Sequence, residues 1–358
     1  MSWLEESDEL HRRVHSFVAG EGQDDFDGLA LDIARYQARW SPGFGRLYAE
    51  RDAFRCAGDV PALPVDAFRL TRVAVHPPEA DVARFATSGT TGSERGIHAF
   101  RTLETYSAIA LRWAERALLA PPGAPRVVLA LAPRPESPPE SSLGFMLQLF
   151  HRHFDGRERA TWLIEDGALK LDALERELDS ARQSGERVLL CATSFALVLL
   201  LDELQGRTLP LPPASVVMQT GGFKGRVREV EPNQLGSEVA KTFAIPKSAI
   251  VGEYGMTELT SQLYEGTLPG AALATPPGIY VPPPWLSVTA VDPVALEPLP
   301  EGVEGLARFV DLGNVDSAVA ILTMDRVRAT GSGVELLGRA PGALPRGCSL
   351  AVEALLGG

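Results

Sequence analysis

The sequence has few cysteines, fewer basic than acidic residues and no long hydrophobic run. Only three of its 358 residues are cysteine, Cys56, Cys191 and Cys348, and they lie far apart. Distant cysteines in odd number form neither a disulfide framework nor a metal-ligand spacing, so we expect a reducing, cytoplasmic location. Lysine and arginine number 34 against 46 acidic residues, a formal net charge of -12. Because this charge repels polyanions and no basic patch interrupts it, we do not expect nucleic-acid binding.

The absence of a long apolar run argues against a membrane protein. The longest apolar stretch, residues 188–201, includes Thr193 and Ser194 and is too short to span a bilayer. The N-terminal residues are acidic and do not form the apolar segment of a secretory signal. With 45% hydrophobic and 22% charged residues, the composition is that of an ordinary globular protein. We therefore expect no membrane span.

Short apolar segments alternate with helical patterns through the middle of the chain. Strands are predicted at 85–87, 126–131, 160–164, 187–191, 215–218 and 249–252, and helices at 142–151, 169–182, 195–204 and 234–243. This alternation predicts an α/β fold, a mostly parallel sheet with helices on both faces. Strand-like segments at 286–291, 305–310, 319–323 and 334–337 predict a small, more antiparallel β subdomain. We divide the chain into a helical and irregular N-terminal segment that packs on the core (1–80), the core with its β subdomain (81–338) and a short tail (339–358).

A loop rich in glycine and hydroxyl groups follows the strand predicted at 85–87. The loop consists of Thr87, Ser88, Gly89, Thr90, Thr91 and Gly92. Its glycines let the backbone approach a polyphosphate, and its hydroxyls offer donors to phosphate oxygens. Arg95 adds a positive charge near the outer phosphates. No Gly-Lys-Ser/Thr closes the loop, so it is not a Walker A motif, and a solvated turn is the alternative.

A second candidate turn follows the strand predicted at 249–252. In this turn, Thr257 offers a donor to an α-phosphate oxygen, and Glu258 offers a carboxylate to the Mg²⁺ that neutralises it. Tyr254, just before Gly255, has a ring that can stack on a base. The alternative is a helix N-cap, with Thr257 capping an acidic first turn.

A third candidate turn contains Gly221 and Gly222, after the strand predicted at 215–218. A glycine pair permits the close approach of a flat ring, although a plain strand-to-loop turn has the same composition. Ligands of open α/β sheets bind at the carboxyl ends of strands, which is where all three turns are predicted to lie.

The order of the three motifs resembles the adenylate-forming superfamily. In that family the phosphate loop usually ends in Lys-Gly, and here Arg95-Gly96 keeps the charge. The family's Thr-Gly-Asp and Gly-Arg patterns are matched by residues 323–325 and 338–339. The resemblance implies that ATP and Mg²⁺ are the cofactors, that Asp325 grips the ribose hydroxyls and that Arg339 lies near a hinge. Asp325 as an exposed turn acid is the alternative, and Asp311 is a rival whose spacing to Arg339 is too long.

The end of the chain narrows the resemblance. Adenylate-forming enzymes usually have a mobile C-terminal domain with a catalytic lysine after Gly-Arg, whereas residues 340–358 are few and contain no lysine. We therefore expect this lid domain to be missing. The layout resembles the acyl-protein synthetase (LuxE-like) component of the fatty acid reductase of luminous bacteria, as do segments 141–146, 311–314 and 335–350.

This narrower resemblance implies a thioester step. The family activates a fatty acid as acyl-AMP, moves the acyl group to a cysteine near its C-terminus and passes it to a partner reductase. Cys348 matches that cysteine, and Arg346 favours the thiolate. An incidental cysteine is the alternative for Cys348, and we interpret Cys191 as a core residue. The catalytic set is therefore predicted to be Arg95, Thr257, Glu258 and Cys348.

Two other functions remain open at the level of the sequence. The adenylate could pass to coenzyme A or to a carrier-protein thiol, as in phenylacetate-CoA ligases. Alternatively, the chain could be a catalytically weak scaffold that binds a nucleotide or an acyl-reductase partner.

Overall fold

The computed structural model describes residues 2–49, 51–87, 95–121, 126–155, 157, 160–221, 231–340, 351–352 and 355–356. Within these residues the α-helices are α1 (Trp3–Ala19), α2 (Phe26–Trp40), α3 (Pro42–Leu47), α4 (Ala67–Leu70), α5 (Glu104–Leu118), α6 (Ser142–Phe154), α7 (Leu171–Ser184), α8 (Ser194–Leu204) and α9 (Pro232–Phe243). The strands are β1 (Leu63–Pro64), β2 (Ala83–Ala86), β3 (Ile97–Phe100), β4 (Val127–Pro133), β5 (Thr161–Glu165), β6 (Ala168–Leu169), β7 (Val188–Thr193), β8 (Val216–Thr220), β9 (Ile250–Tyr254), β10 (Leu263–Glu265), β11 (Ile279–Val281), β12 (Leu286–Val291), β13 (Glu304–Asp311), β14 (Ala320–Thr330) and β15 (Gly333–Arg339). The helices of the described residues are all too short or too polar to traverse a lipid bilayer.

Helix α1 shows how local sequence signals set the ends of an element. Ser2 and Glu5 form a capping box, in which the Ser2 side chain accepts from the Glu5 N–H and the Glu5 side chain accepts from the Ser2 N–H. Buried Leu10, Val14 and Val18 recur every fourth residue and lie on one face. The helix ends at Gly20, whose φ of 77° is the left-handed conformation that glycine adopts without strain.

The predicted parallel sheet is confirmed. Strands β9, β8, β7, β4 and β5 lie side by side in that order, all parallel, and β6 adds an antiparallel edge. Because successive side chains of a strand point to opposite faces, β4 contributes to two cores. Val128 and Ala130 pack in a cluster with α5 and α6, whereas Val127 and Leu129 pack in a cluster with α7, α8 and α9. The sheet is therefore covered by helices on both faces.

The antiparallel strands after residue 264 are also present, and they continue the same sheet. β10 pairs antiparallel with β9, and the sheet extends through β11, β15, β14 and β13 to β12. From the N-terminal segment, β1 joins the sheet by pairing in parallel with β14. The predicted β subdomain is thus a continuation of the parallel strands, while the domain boundaries stay a prediction.

The strand before the phosphate loop differs from the expectation. β2 does not belong to the large sheet but pairs antiparallel with β3 in a separate two-stranded sheet. The loop therefore connects two strands of a hairpin, instead of following a central parallel strand. Hydrogen bonding explains the placement, because the β2 backbone pairs with β3 and its last residue, Ala86, donates to the carbonyl of Glu140.

Candidate nucleotide site

The base of the phosphate loop lies beside the Thr257–Glu258 turn. Thr87 N donates to Gly96 O over 2.9 Å, and Gly96 N donates to Thr87 Oγ1 over 3.0 Å. A Cβ atom built on Gly96 would lie 3.6 Å from Glu258 Oε1, and His98 Nδ1 is 2.9 Å from Thr257 O. The two segments therefore converge, as a single bound triphosphate would require. The other loop residues, Ser88, Gly89, Thr90, Thr91 and Gly92, lie outside the described residues.

Glu258 is a buried carboxyl with charged neighbours. It is 8% exposed, and burial raises its pKa to about 7. The charge of Arg339 lowers this pKa, while Asp325 and Asp66 raise it. The carboxyl therefore lies in a polar, mostly acidic setting in which a bound cation would relieve repulsion.

The interpretation of Thr257 as a helix N-cap does not hold. Residues 257 and 258 form a turn in which Leu259 N donates to Met256 O over 3.2 Å, and the chain then enters β10. Within 231–340, all of which is described, no helix begins at Thr257. The hydroxyl of this half-buried threonine is therefore not committed to a helix end.

Tyr254 and Asp325 are joined across two strands. The Tyr254 hydroxyl donates to Asp325 Oδ2 over 2.7 Å, and its ring stacks on Phe309 with centroids 6.0 Å apart and planes 16° apart. In the register of β14 and β15, Asp325 lies opposite Arg339. The fold thus brings Asp325 and Arg339, which were predicted from the Thr-x-Asp and Gly-Arg patterns, to the Tyr254 turn. The Tyr254 ring is therefore already packed against Phe309, and its stacking on a base stays a prediction.

Comparison with known proteins identifies the family. The acyl-protein synthetase family, LuxE, matches residues 53–356 of this chain. The chain belongs to the LuxE family. It is 23% identical over 201 residues to the long-chain-fatty-acid–luciferin-component ligase of Vibrio harveyi, a match covering 53% of this chain and 51% of that protein. The chain spans about half the length of this curated relative.

Solved structures show the same fold. ATP-bound MatB from Rhodopseudomonas palustris matches with a TM-score of 0.51 and 14% identity over 74% of this chain and 49% of that chain. The 2-hydroxyisobutyryl-CoA ligase in complex with 2-HIB-AMP and CoA matches with a TM-score of 0.62 and 12% identity over 97% of this chain and 71% of that chain. This LuxE-family chain therefore has the fold of adenylate-forming enzymes.

Arg95 is turned toward the protein in this family member. Its Nε donates to Thr87 O over 2.7 Å and its Nη2 to Ala86 O over 3.3 Å. Its Nη1 lies 3.3 Å from Glu140 Oε2 in an exposed ion pair. Contact with a phosphate would require these bonds to be exchanged, so its role at the outer phosphates stays a prediction.

The rival ribose ligand, Asp311, has a different role. Its carboxylate is fully buried and accepts from the backbone N–H groups of Thr260, Ser261 and Gly313 and from the Ser261 hydroxyl, over 2.8–3.0 Å. Burial raises the pKa of Asp311, and these donors oppose the rise. Because the four donors occupy its oxygens, Asp311 fixes the chain just after Glu258.

Asn314, from the same 311–314 segment, holds the turn directly. Its Nδ2 donates to Glu258 O over 3.0 Å and to Ala318 O over 2.9 Å, and its Oδ1 accepts from Thr260 Oγ1 over 2.7 Å. In the sequence, this segment indicated only the family resemblance. The signal for its role was the pairing of a carboxylate and an amide, both able to bond backbone groups, directly after a buried strand.

Glu253 is a candidate site residue that no sequence motif indicated. The Thr220 hydroxyl donates to it, which joins the end of β8 to the end of β9. Burial raises the pKa of Glu253 to about 7, while the bond from Thr220 lowers it. A Cβ atom on Gly255 would lie 2.7 Å from Glu253 Oε1, so the carboxyl explains why glycine follows Tyr254.

Of the glycine pair, only Gly221 lies within the described residues. Gly221 has a φ of 67°, the left-handed region that favours glycine, and its carbonyl accepts from Ser194 Oγ over 2.6 Å. Gly222 and Cys348 lie outside the described residues.

Cys191 is fully buried in β7, and burial raises the pKa of its thiol, so its interpretation as a core residue is confirmed.

Among the described residues, Glu258 is the carboxyl that the sequence assigns to Mg²⁺. Across the described ranges, no group of three or more His, Cys, Asp and Glu side chains could hold a metal ion. Mg²⁺ in nucleotide enzymes is commonly held by one or two carboxylates together with substrate phosphates. Glu258, a buried carboxyl beside the base of the loop, therefore fits as a protein ligand of an ion that enters with the nucleotide.

Proposed function

We propose that this chain uses ATP and Mg²⁺ to activate a carboxylic acid as an acyl-adenylate. The observation that supports this most is the convergence of the loop base, at Thr87 and Gly96, with the Glu258 carboxyl. In this proposal the loop 87–92 and Arg95 bind the phosphates, and Thr257 donates to the α-phosphate. Glu258 holds Mg²⁺.

The remaining site residues position the nucleoside. Asp325 accepts from the ribose hydroxyls, Arg339 lies beside it, and Tyr254, with Gly221 and Gly222, receives the base. The carboxylate of the acid attacks the α-phosphorus, a P–O bond forms, and pyrophosphate leaves. The loop donors offset negative charge as this happens, and Mg²⁺ held by Glu258 would supply further positive charge.

The acid is proposed to be fatty and the acceptor to be Cys348. Support comes from membership of the LuxE family and from the printed name of the Vibrio harveyi relative, a long-chain-fatty-acid ligase. The Cys348 thiolate attacks the acyl carbonyl, a C–S bond forms, and AMP leaves. A partner such as an acyl reductase or a carrier protein then receives the acyl group.

A second candidate function is transfer of the acyl group to coenzyme A. The 2-hydroxyisobutyryl-CoA ligase, which shares the fold, was solved with both an acyl-AMP and CoA. In that case Cys348 would not be needed for acyl transfer, and acyl labelling of a Cys348→Ser variant distinguishes the two candidates.

The adenylation step is tested by exchange of labelled pyrophosphate into ATP with a panel of fatty acids. Exchange that depends on the acid is expected. If no acid supports exchange, the chain is a scaffold and the proposal is wrong.

The acceptor is tested with the variant Cys348→Ser. It should keep exchange and lose the acyl label that hydroxylamine removes from the protein. A label that persists in the variant would show that the acyl group resides elsewhere, and acyl-CoA formation on addition of coenzyme A would favour the second candidate.

A further inference from the structure

His98 joins the hairpin that carries the phosphate loop to the Thr257–Glu258 turn. It lies on β3, two residues after Gly96 at the base of the loop. It is 1% exposed, and its Nδ1 is 2.9 Å from Thr257 O. His98 therefore contacts the backbone of the turn from the side of the loop.

Packing holds the imidazole ring of His98 in place. Phe100, two residues further along β3, lies on the same face of the strand, with ring centroids 4.1 Å apart. Phe68 of α4 meets the ring edge-on, with centroids 5.5 Å apart and planes 69° apart. A buried ring between close-packed neighbours has little freedom to move, so the position of Nδ1 follows that of β3.

The contact with Thr257 requires one tautomer of His98. A carbonyl oxygen only accepts hydrogen bonds, so Nδ1 carries the proton and donates to Thr257 O. Burial lowers the pKa of His98 to about 4, and the bond to Thr257 opposes this effect. At neutral pH the imidazole is therefore uncharged, with its proton on Nδ1.

The turn is held from two different parts of the fold. Asn314 Nδ2 donates to the carbonyl of Glu258, and His98 Nδ1 donates to the carbonyl of Thr257. Asn314 follows β13 of the large sheet, whereas His98 belongs to the separate two-stranded sheet of β2 and β3. The bond from His98 thus links the turn, at the end of a strand of the large sheet, to the hairpin that carries the loop.

We propose that His98 is a positioning residue, which holds the Thr257 hydroxyl and the Glu258 carboxyl at the separation from the loop base that adenylation requires. The inference rests on the proposed function, in which both side chains act on the nucleotide. His98 acts through the backbone of the turn and not on the substrate itself. Because a displacement of about 1 Å at the reacting groups can cost about a hundredfold in rate, loss of this bond should be visible in kcat.

Two substitutions at this position separate the hydrogen bond from the packing of the ring. His98→Asn keeps a nitrogen donor on Cγ, where Nδ1 is attached, and His98→Leu puts a methyl group there instead. Both variants lose the ring and its contacts with Phe68 and Phe100. Phe243→Leu, fully buried in the core on the other face of the sheet, is the control for destabilisation alone.

Pyrophosphate exchange is measured with saturating ATP and acid, at a temperature at which thermal unfolding shows every variant to be folded. His98→Leu should lower the kcat of exchange by about tenfold to a hundredfold, because the Thr257 carbonyl loses its donor and the turn can shift. His98→Asn should keep kcat within about threefold of the wild type, since its amide N–H can make the same bond. Phe243→Leu should exchange at the wild-type rate even though its Tm is lower.

The outcomes separate this inference from the proposed function. Exchange at the wild-type rate in His98→Leu, or an equal loss in the leucine and asparagine variants, would overturn the positioning role and leave the proposed function standing. Absence of exchange in the wild type with every acid would overturn the proposed function instead.

The tautomer gives a readout that needs no activity. Nitrogen NMR of the histidines at pH 7 should show His98 as a neutral imidazole with its proton on Nδ1, a signal assigned by its absence from His98→Asn. A proton on Nε2 would rule out donation to Thr257, and with it the positioning role, whether or not the chain forms an adenylate.

Discussion

At the scale of single residues, the burial of Glu258 opposes the charge that the proposed chemistry needs. Burial raises its pKa to about 7 from 4.5, so between these values the native state binds more protons than the unfolded chain. The carboxyl therefore lowers stability as pH rises through this window. Glu258→Gln should be more stable than the wild type at pH 8, by on the order of 2 kcal/mol, and the difference should shrink toward pH 5.

The same variant should lose pyrophosphate exchange by at least about a hundredfold, because an amide is a poor ligand for the cation. Urea unfolding at pH 5 and pH 8 measures the first effect, with the exposed Glu301→Gln as the control. A difference in stability that is equal at both pH values would contradict the desolvation argument. Exchange at the wild-type rate would remove Glu258 from the site.

Candidate site residues could be predicted where a sequence motif contains them. They could not be predicted where burial determines their role. The Thr257–Glu258 turn and Asp325 follow from sequence patterns, and the structure places Asp325 beside Tyr254. Glu253 was missed because an acid at the end of a strand has no distinctive spacing. Its importance comes from Thr220, a neighbour more than thirty residues away in the chain, and from the burial of the pair.

At the scale of elements, the turn after β9 depends on a loop distant in sequence. Asn314 Nδ2 and Oδ1 bond Glu258 O, Ala318 O and the Thr260 hydroxyl, all buried. Asn314→Ala leaves these groups unpaired, so it should destabilise the protein by about 2–4 kcal/mol. It should also lower exchange by about tenfold or more, since Glu258 would no longer be held in place.

Thermal unfolding and exchange with saturating ATP measure these two effects. The control is Asn233→Ala, at an exposed position on α9. If Asn314→Ala is destabilised and yet exchanges at the wild-type rate, the loop supports the fold and not the site.

Elements were predictable from periodicity, and their pairing was not. The parallel strands β4, β5, β7, β8 and β9 appear as apolar runs in the sequence, and the helices between them have apolar faces. Helix α5, which we did not predict, shows the same helical spacing at Tyr106, Ile109 and Trp113, so the signal was present. The pairing of β2 with β3 could not be predicted from the sequence, because backbone hydrogen bonds between strands do not depend on particular residue types.

At the scale of the whole molecule, a buried carboxylate, Asp316, is among the groups that tie the N-terminal helices to the core. Asp316 accepts from Ser7 and Tyr36 hydroxyls over 2.7 Å, and it pairs with His11 Nε2 over 3.0 Å and Arg101 Nε over 3.3 Å. The sequence predicted that residues 1–80 pack on the core without showing where. The partners of Asp316 are separated from it by hundreds of residues, so only the folded chain reveals the contact.

Substitution of this carboxylate tests how strongly it joins the two parts. Burial by itself would raise the pKa of Asp316, but His11, Ser7 and Tyr36 outweigh it and hold the pKa well below its ordinary value of 3.8. A depressed carboxyl pKa contributes stability that is present above about pH 4 and is lost as pH falls toward the folded pKa. Asp316→Asn should therefore lose on the order of 3 kcal/mol at pH 7, because it leaves buried donors without a charged acceptor.

The loss should narrow at acidic pH, where protonation removes the same contribution from the wild type. Urea unfolding at pH 7 and at the lowest pH at which the wild type stays folded measures both values. Asp8→Asn is the control, since the ion pair of Asp8 with Arg101 is exposed on the Asp8 side and should contribute less than about 1 kcal/mol. A loss at Asp316 no larger than at Asp8 would mean that the apolar faces of α1 and α2, and not this carboxylate, hold the N-terminal helices on the sheet.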